Sequence, residues 1–323
     1  MFAVYAESIN PDQPLKGLAL GERPDPSPGD GWARVDVRAM SLNHHDVWSL
    51  RGVGLPADRL PMILGCDAAG TTEDGSEVVV HAVISDPSWR GDETLDPKRS
   101  LLSERHQGAL AERVIVPQRN VVPKPASLSF EEAACLPTAW LTAYRMLFTQ
   151  SRLRPGDSVL IQGAGGGVAT ALIVLAKAAG LRATVTSRDQ AKRERAIKLG
   201  ASDAVESGTR LAAPVDAVME TVGAATWSHS IKSLRPGGTL VVSGTTSGPQ
   251  PKSSELTRIF FLQLRVQGST MGTRDELEKL VALLDVSGAR PVIDRVLPLD
   301  QARVGFSAMI DGGHLFGKVV FTV

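Results

Sequence analysis

Short apolar runs and amphipathic stretches alternate through the middle of the chain, and the alternation predicts strands and helices in turn. Val159–Gln162 reads as a buried strand, and Gly163–Gly167 sets one alanine among four glycines. Val168, Leu172, Leu175, Ala176 and Ala179 then recur at helical spacing until Gly180, and Arg182–Thr186 reads as a second strand. Together these form one βαβ unit, whose parallel strands require a right-handed crossover. Val215–Glu220 is a candidate third strand. Thr239–Gly244 is a fourth, after the Pro236-Gly237-Gly238 turn. Such an order predicts an open parallel sheet with helices on both faces.

The flanking regions have a different pattern. Phe2–Glu7, Ala33–Ala39, Glu77–Ile84 and Glu112–Val116 are strand-like and separated by proline and glycine, so residues 1–125 are expected to be mainly β. Asp86–Ser103 reads as a polar surface excursion, and Pro123 and Pro125 mark a junction. Ser129 and Glu132 have capping-box spacing ahead of an apolar helical stretch to about Phe148. Beyond Thr270, a charged helix over Asp275–Asp285 precedes strand-like Val292–Leu297 and Lys318–Val323, a tail expected to return to the first domain.

Charge narrows the partners. Thirty-five basic residues balance 35 acidic ones, so no net field favours nucleic acid or an anionic membrane. No apolar run reaches transmembrane length, and Met1–Asn10 lacks the form of a signal peptide. Cys66 and Cys135 are far apart with no CxxC partner, which implies no disulfide framework and makes the cytoplasm the expected compartment.

The glycine turn carries the first chemistry. Backbone N–H groups at the positive end of a helix suit a pyrophosphate. The dinucleotide fingerprint aligns best as Ala164-x-Gly166-x-x-Ala169, keeping the central glycine where phosphate must approach the backbone. Ala164, Gly165, Gly166, Gly167 and Val168 are the expected contacts. An NAD site would place a carboxylate about twenty residues on. This chain has Ser187 and Arg188 there, with Lys192, Arg193 and Arg195 following, which favours the 2′-phosphate of NADP. Asp189 is an acid close by, and some of these cations belong to a solvated helix face.

Further motifs recur in a fixed order: Ser41-Leu42-Asn43-His44-His45-Asp46, Leu64-Gly65-Cys66-Asp67-Ala68-Ala69-Gly70, Gly108-Ala109-Leu110-Ala111-Glu112, Leu136-Pro137-Thr138-Ala139-Trp140, Met219-Glu220-Thr221-Val222-Gly223 and the ending Gly317-Lys318-Val319-Val320. With these the chain resembles the medium-chain dehydrogenase/reductase superfamily over nearly its whole length, and most of all its zinc-independent quinone oxidoreductase-like branch. The resemblance implies a GroES-like catalytic domain over 1–125, completed by 271–323. It also implies a Rossmann-like, doubly wound NADP-binding domain over 126–270, with an active-site cleft between the two.

Zinc-dependent members hold their catalytic metal with two cysteines and a histidine. Matched motif by motif, those positions are Asn43, Cys66 and Thr138 here, leaving one potential thiolate where three soft or imidazole ligands are needed. The stretch expected to hold the structural zinc contains no cysteine. No zinc is therefore expected, although a site rebuilt from His44, His45, Asp46 or Asp67 is conceivable. Without a Lewis acid, charge on the acceptor oxygen must be delocalised by the substrate, which points to quinones and α,β-unsaturated carbonyls.

Asn43 is the first candidate for a polar contact to substrate or nicotinamide. His45 stands at the family's proton-relay position and is a candidate acid. Cys66 and Asp67 are expected to line the cleft floor, with Asp67 tethering loop backbone or Arg51. Trp48 and Trp140 are candidate walls for a flat acceptor. Thr138, Val222, Gly223, Ser243 and Gly244 are expected near the dinucleotide, and by resemblance alone Lys318 would reach a cofactor phosphate. Ile259–Ser269 resembles the edge strand through which relatives pair, so a homodimer is expected. Two other readings remain open: an alcohol or aldehyde dehydrogenase with an atypical zinc site, and an NADP-binding protein without turnover.

Overall fold

A computed structural model describes residues 1–323. The chain divides into two units, Met1–Leu141 with Met271–Val323, and Thr142–Thr270. The expected α/β class holds, with one mainly-β unit and one doubly wound parallel sheet. No helix is long and apolar enough to cross a membrane.

In the second unit six parallel strands lie in the order Asp203–Val205, Arg182–Thr186, Ser158–Ile161, Val215–Glu220, Leu234–Val242, Arg265–Gly268. Ser158–Ile161 has Arg182–Thr186 on one side and Val215–Glu220 on the other. Strand order therefore reverses at Ser158–Ile161, and ligands of such sheets bind beyond the carboxyl ends of the strands at that point. The glycine turn lies there, leading into the helix Gly167–Ala178, which buries Leu172, Leu175 and Ala176 as its spacing requires.

Two local expectations change. The strand expected at Thr239 begins at Leu234 and runs through Pro236-Gly237-Gly238, with a register shift against Val215–Glu220. The glycines, Gly237 at φ +73°, make an irregularity within the strand instead of a turn before it. The run from Ile259 is not one strand. Leu256–Phe261 closes helical bonds such as Ile259 N–H to Glu255 O, and only Arg265–Gly268 joins the sheet.

In the first unit the main sheet runs Val121–Pro123, Glu77–Val80, Asp67–Thr72, Trp32–Ser41, Lys318–Thr322, Ile293–Pro298, with Arg113–Pro117 also paired to Trp32–Ser41. The C-terminal strand is antiparallel to Trp32–Ser41, setting Val320 opposite Ser41. Val35, Val37, Met40, Leu110, Phe306 and Phe321 share one buried core. Ser129 and Glu132 make the reciprocal cap expected of them, but the helix they start soon widens into a π turn over Leu136–Trp140. Asp86–Ser103 is more than a surface excursion. Thr94, Asp96 and Ser100 are buried, and Asp96 accepts the Asp86 and Lys98 N–H groups, so side chains replace water as partners for this irregular backbone.

Candidate active site

Sheet register assembles the first cluster. Ser41 ends its strand opposite Asp67 on one side and Val320 on the other, so the chain leaving at Leu42-Asn43 passes beside both Asp67 and Lys318. Asp67 Oδ2 accepts from Ser41 Oγ at 2.7 Å, from Asn43 Nδ2 at 2.8 Å and from Lys318 Nζ at 3.3 Å. The Lys318 ammonium also donates to Asn43 Oδ1 at 2.5 Å and to Leu42 O at 2.8 Å. Asp67 is fully buried and Lys318 is 3% exposed.

This geometry corrects three expectations. All three protons of Lys318 are taken within the core, so it has none for a cofactor phosphate. Asn43 bonds Asp67 and Ser41 O through its amide nitrogen and Lys318 through its oxygen, and so serves the framework rather than a substrate. Asp67 is held by Ser41, Asn43 and Lys318, not Arg51, while its Oδ1 has no protein partner.

The second cluster lies along the helix His44–Leu50. Asp46, three residues after Asn43, accepts the Asn43 N–H on Oδ2 at 2.8 Å and the Gly65 N–H on Oδ1 at 2.9 Å. One buried carboxylate thereby ties the helix start to the turn before Cys66. His45 Nδ1 is 3.4 Å from Cys66 Sγ, and His45 Nε2 is 3.2 Å from Glu104 Oε1. Cys66 Sγ donates to Leu102 O at 3.2 Å, and Glu104 Oε2 accepts the Leu101 N–H at 2.9 Å.

Burial pushes the Cys66 thiol up, and His45 beside it acts in the opposite direction. Burial alone would depress His45. The Cys66 sulfur, the Glu104 carboxylate and Asp46 outweigh it and hold the imidazole well above an ordinary histidine. Burial would likewise raise Glu104, but the His45 bond and the Leu101 N–H hold it below its usual range. The imidazole is held at both nitrogens. Glu104 escaped the sequence reading because His45 is 59 positions away and nothing local marks it.

The second unit places the nucleotide candidates. Gly166 is exposed at the N-cap of Gly167–Ala178, and a Cβ built on it would meet no atom within 4 Å. Gly166 thus offers bare, open backbone beside N–H groups that have no intrahelical acceptor, a shape that fits a pyrophosphate. Gly163 N–H donates to Thr186 Oγ1, which donates to Gln162 Oε1, so buried side chains anchor the turn. Ser187 is buried at the end of its strand and Arg188 exposed beside it. Asp189 caps the next helix through the Lys192 N–H, and Arg193 donates to Ser187 O.

Val222 and Gly223 turn their N–H groups onto buried Glu220, which also accepts from Thr226 and Ser230. Ser243 and Gly244 follow the end of the strand Leu234–Val242, half-buried. Glu220 stands in the Met219–Gly223 motif, and its role as the loop's anchor depends on Thr226 and Ser230, which lie beyond that motif.

Of the remaining candidates, Trp140 is fully buried in the first unit, so it packs the core and is no pocket wall. Its Nε1 and Thr138 Oγ1, both on the π turn, are buried without a protein partner. Trp48 is half-buried, and Cys66 has no exposed surface. The residues do not fit the zinc set of metal-dependent relatives: Asn43 is committed to Lys318 and Asp67, and Thr138 brings no thiolate.

Residues 29–126 match the alcohol dehydrogenase GroES-like domain family, and residues 167–286 match the zinc-binding dehydrogenase family. A zinc-type alcohol dehydrogenase-like protein of Schizosaccharomyces pombe is 30% identical, covering 91% of each chain. An acryloyl-coenzyme A reductase of Sulfurisphaera tokodaii is 30% identical over 95% of this chain and 97% of its own. A crystal structure described as an NAD-dependent alcohol dehydrogenase superposes with a TM-score of 0.93, at 33% identity and with both chains fully covered. With matches at both domains and along nearly the whole length, the chain belongs to the medium-chain dehydrogenase/reductase superfamily of oxidoreductases.

Proposed function

We propose that this protein is an NADPH-dependent reductase of α,β-unsaturated or otherwise activated carbonyl compounds, quinones included, and that no metal polarises the acceptor. One observation carries the acceptor class: Asn43, at the first metal position, is bonded through both ends of its amide to Lys318 and Asp67. With no cation to hold a developing alkoxide, the acceptor must spread its own charge, as a conjugated carbonyl does. The acryloyl-coenzyme A reductase relative, named for an enoyl thioester, supports the same class.

Bound NADPH supplies the hydride. The backbone at Gly166 binds its pyrophosphate, and Ser187 and Arg188 take the 2′-phosphate. Asp189, the acid beside Arg188, is turned onto the Lys192 N–H as a helix cap. His45 holds the proton that follows the hydride, and Glu104 fixes its ring. Of the three catalytic candidates His45 alone has a titratable proton not locked into the Lys318 cluster. The homodimer reading rests on the second unit's sheet edge. Arg265–Gly268 has a neighbour on one side only, and Val266, Phe260 and Phe261 are exposed at 43%, 70% and 76%.

A second reading, alcohol oxidation with NAD, is favoured by the 33%-identical structure described in those words. Initial rates with NADPH and NADH against an enoyl thioester, an enone, a quinone and a simple aldehyde, with and without chelator, separate the two. Expected are NADPH-dependent rates on the conjugated acceptors that chelator does not lower. Arg188→Ala should cut the preference for NADPH by about tenfold, the loss of about 1.4 kcal/mol of phosphate contact. Chelator-sensitive, NAD-dependent turnover of the aldehyde and its alcohol would establish the second reading instead.

A further inference from the structure

We propose that His45, Cys66 and Asp46 form a binding site for a zinc-class divalent cation, on a ligand set other than the one metal-dependent relatives use. Their ligand atoms all lie within 4.8 Å of one another. His45 Nδ1 and Cys66 Sγ are 3.4 Å apart. A tetrahedral zinc with bonds of about 2.0 Å to nitrogen and 2.3 Å to sulfur needs about 3.5 Å between those two atoms. The pair therefore already stands at the spacing a shared cation requires.

The surroundings support the same assignment. Glu104 accepts from His45 Nε2 and so turns Nδ1 toward the sulfur, the carboxylate–histidine arrangement that orients imidazole ligands at metal centres. The Leu101 N–H fixes Glu104 in turn. Asp46 is positioned by the Asn43 and Gly65 N–H groups, one on each oxygen, and a carboxylate has lone pairs beyond those two. One thiolate, one imidazole and one carboxylate make a set that borderline-soft cations prefer to magnesium or calcium. All three residues belong to the first unit, so the site is complete within it.

Binding replaces the thiol proton of Cys66 and any proton on His45 Nδ1 with the cation, and both protons leave to solvent. Because the proposed reductase chemistry draws its proton from His45, an occupying cation lowers turnover instead of supporting it. That consequence alone rests on the reductase reading; binding does not.

The test titrates the full-length protein, stripped with chelator and desalted, with Co(II), and follows absorption. Expected is one equivalent bound with a near-ultraviolet thiolate-to-cobalt band, discharged by Zn(II). Cys66→Ser should lose the band, and Glu104→Gln should keep it with affinity about 10-fold to 100-fold weaker. Both variants are compared with wild type by circular dichroism. If Cys66→Ser misfolds, the Glu104→Gln titration decides alone. Cobalt bound without the band, a band surviving in Cys66→Ser, or wild-type affinity in Glu104→Gln overturns the assignment. If the band appears while the stripped protein reduces none of the acceptors, the site stands and the reductase reading falls.

Discussion

Lys318→Met should lower the thermal midpoint of the first unit by on the order of 10 °C. The substitution keeps the length and apolar stem of the side chain and removes only its ammonium. What remains is the carboxylate of Asp67, fully buried, with Oδ1 already lacking a protein partner and Oδ2 left to Ser41 and Asn43. Breaking a buried ion pair by deleting one partner costs about 3–5 kcal/mol, because the surviving charge stays in a medium that cannot solvate it. In a unit of this size each kcal/mol moves the midpoint by about 2–4 °C. Adding Asp67→Asn to the same chain should recover most of the loss, since the stranded charge goes with its partner. Thermal melts of the three proteins check this, and a single variant as stable as wild type would show that the pair does not bear on the fold.

Gly166→Val should lower the melt by only a few degrees, the cost of about 1 kcal/mol for a poorer N-cap, and weaken NADPH binding about 100-fold, equivalent to about 2.7 kcal/mol. The backbone there, φ −69° and ψ 159°, is open to any residue, and the added Cβ meets nothing in the protein. Its cost falls instead on a ligand that must lie against the bare backbone. Quenching of protein fluorescence by NADPH gives the affinity. A loss of binding with the fold intact places the pyrophosphate at this turn, whereas an unchanged affinity would move it elsewhere.

Legibility in the sequence followed the range of the interactions. Arg182–Thr186 and Val215–Glu220 are legible to the residue because β-branched and apolar residues cluster in each, with Gly180 and Pro214 just ahead as punctuation. The Ser129 cap was readable because both its partners lie within one helical turn. The strand through Pro236-Gly237-Gly238 and the helix at Leu256–Phe261 were not, because neighbouring elements overrode the local punctuation and the apolar run.

The site divided along the same line. The glycine turn is local, and its place between Ser158–Ile161 and the helix Gly167–Ala178 is legible. Resemblance alone points Lys318 at a phosphate, and nothing near Gly317 reveals that strand pairing carries it to Asn43 and Asp67, 275 and 251 positions away. Trp140 gave no sign in sequence of whether its ring faced a ligand or the core. His45 is legible as a candidate acid, but the carboxylate that orients it, Glu104, lies 59 positions away, just past the Asp86–Ser103 excursion.

Hydride transfer itself is open to direct measurement with NADPH deuterated at the transferring C4 position, an enoyl thioester as acceptor, and protein whose metal content has been brought well below one equivalent. The expected product carries one deuterium at the β-carbon of the former double bond, formed at a rate that added zinc does not raise. A product without deuterium, or reduction that appears only once zinc is restored, would contradict a metal-free reductase that takes its hydride from NADPH.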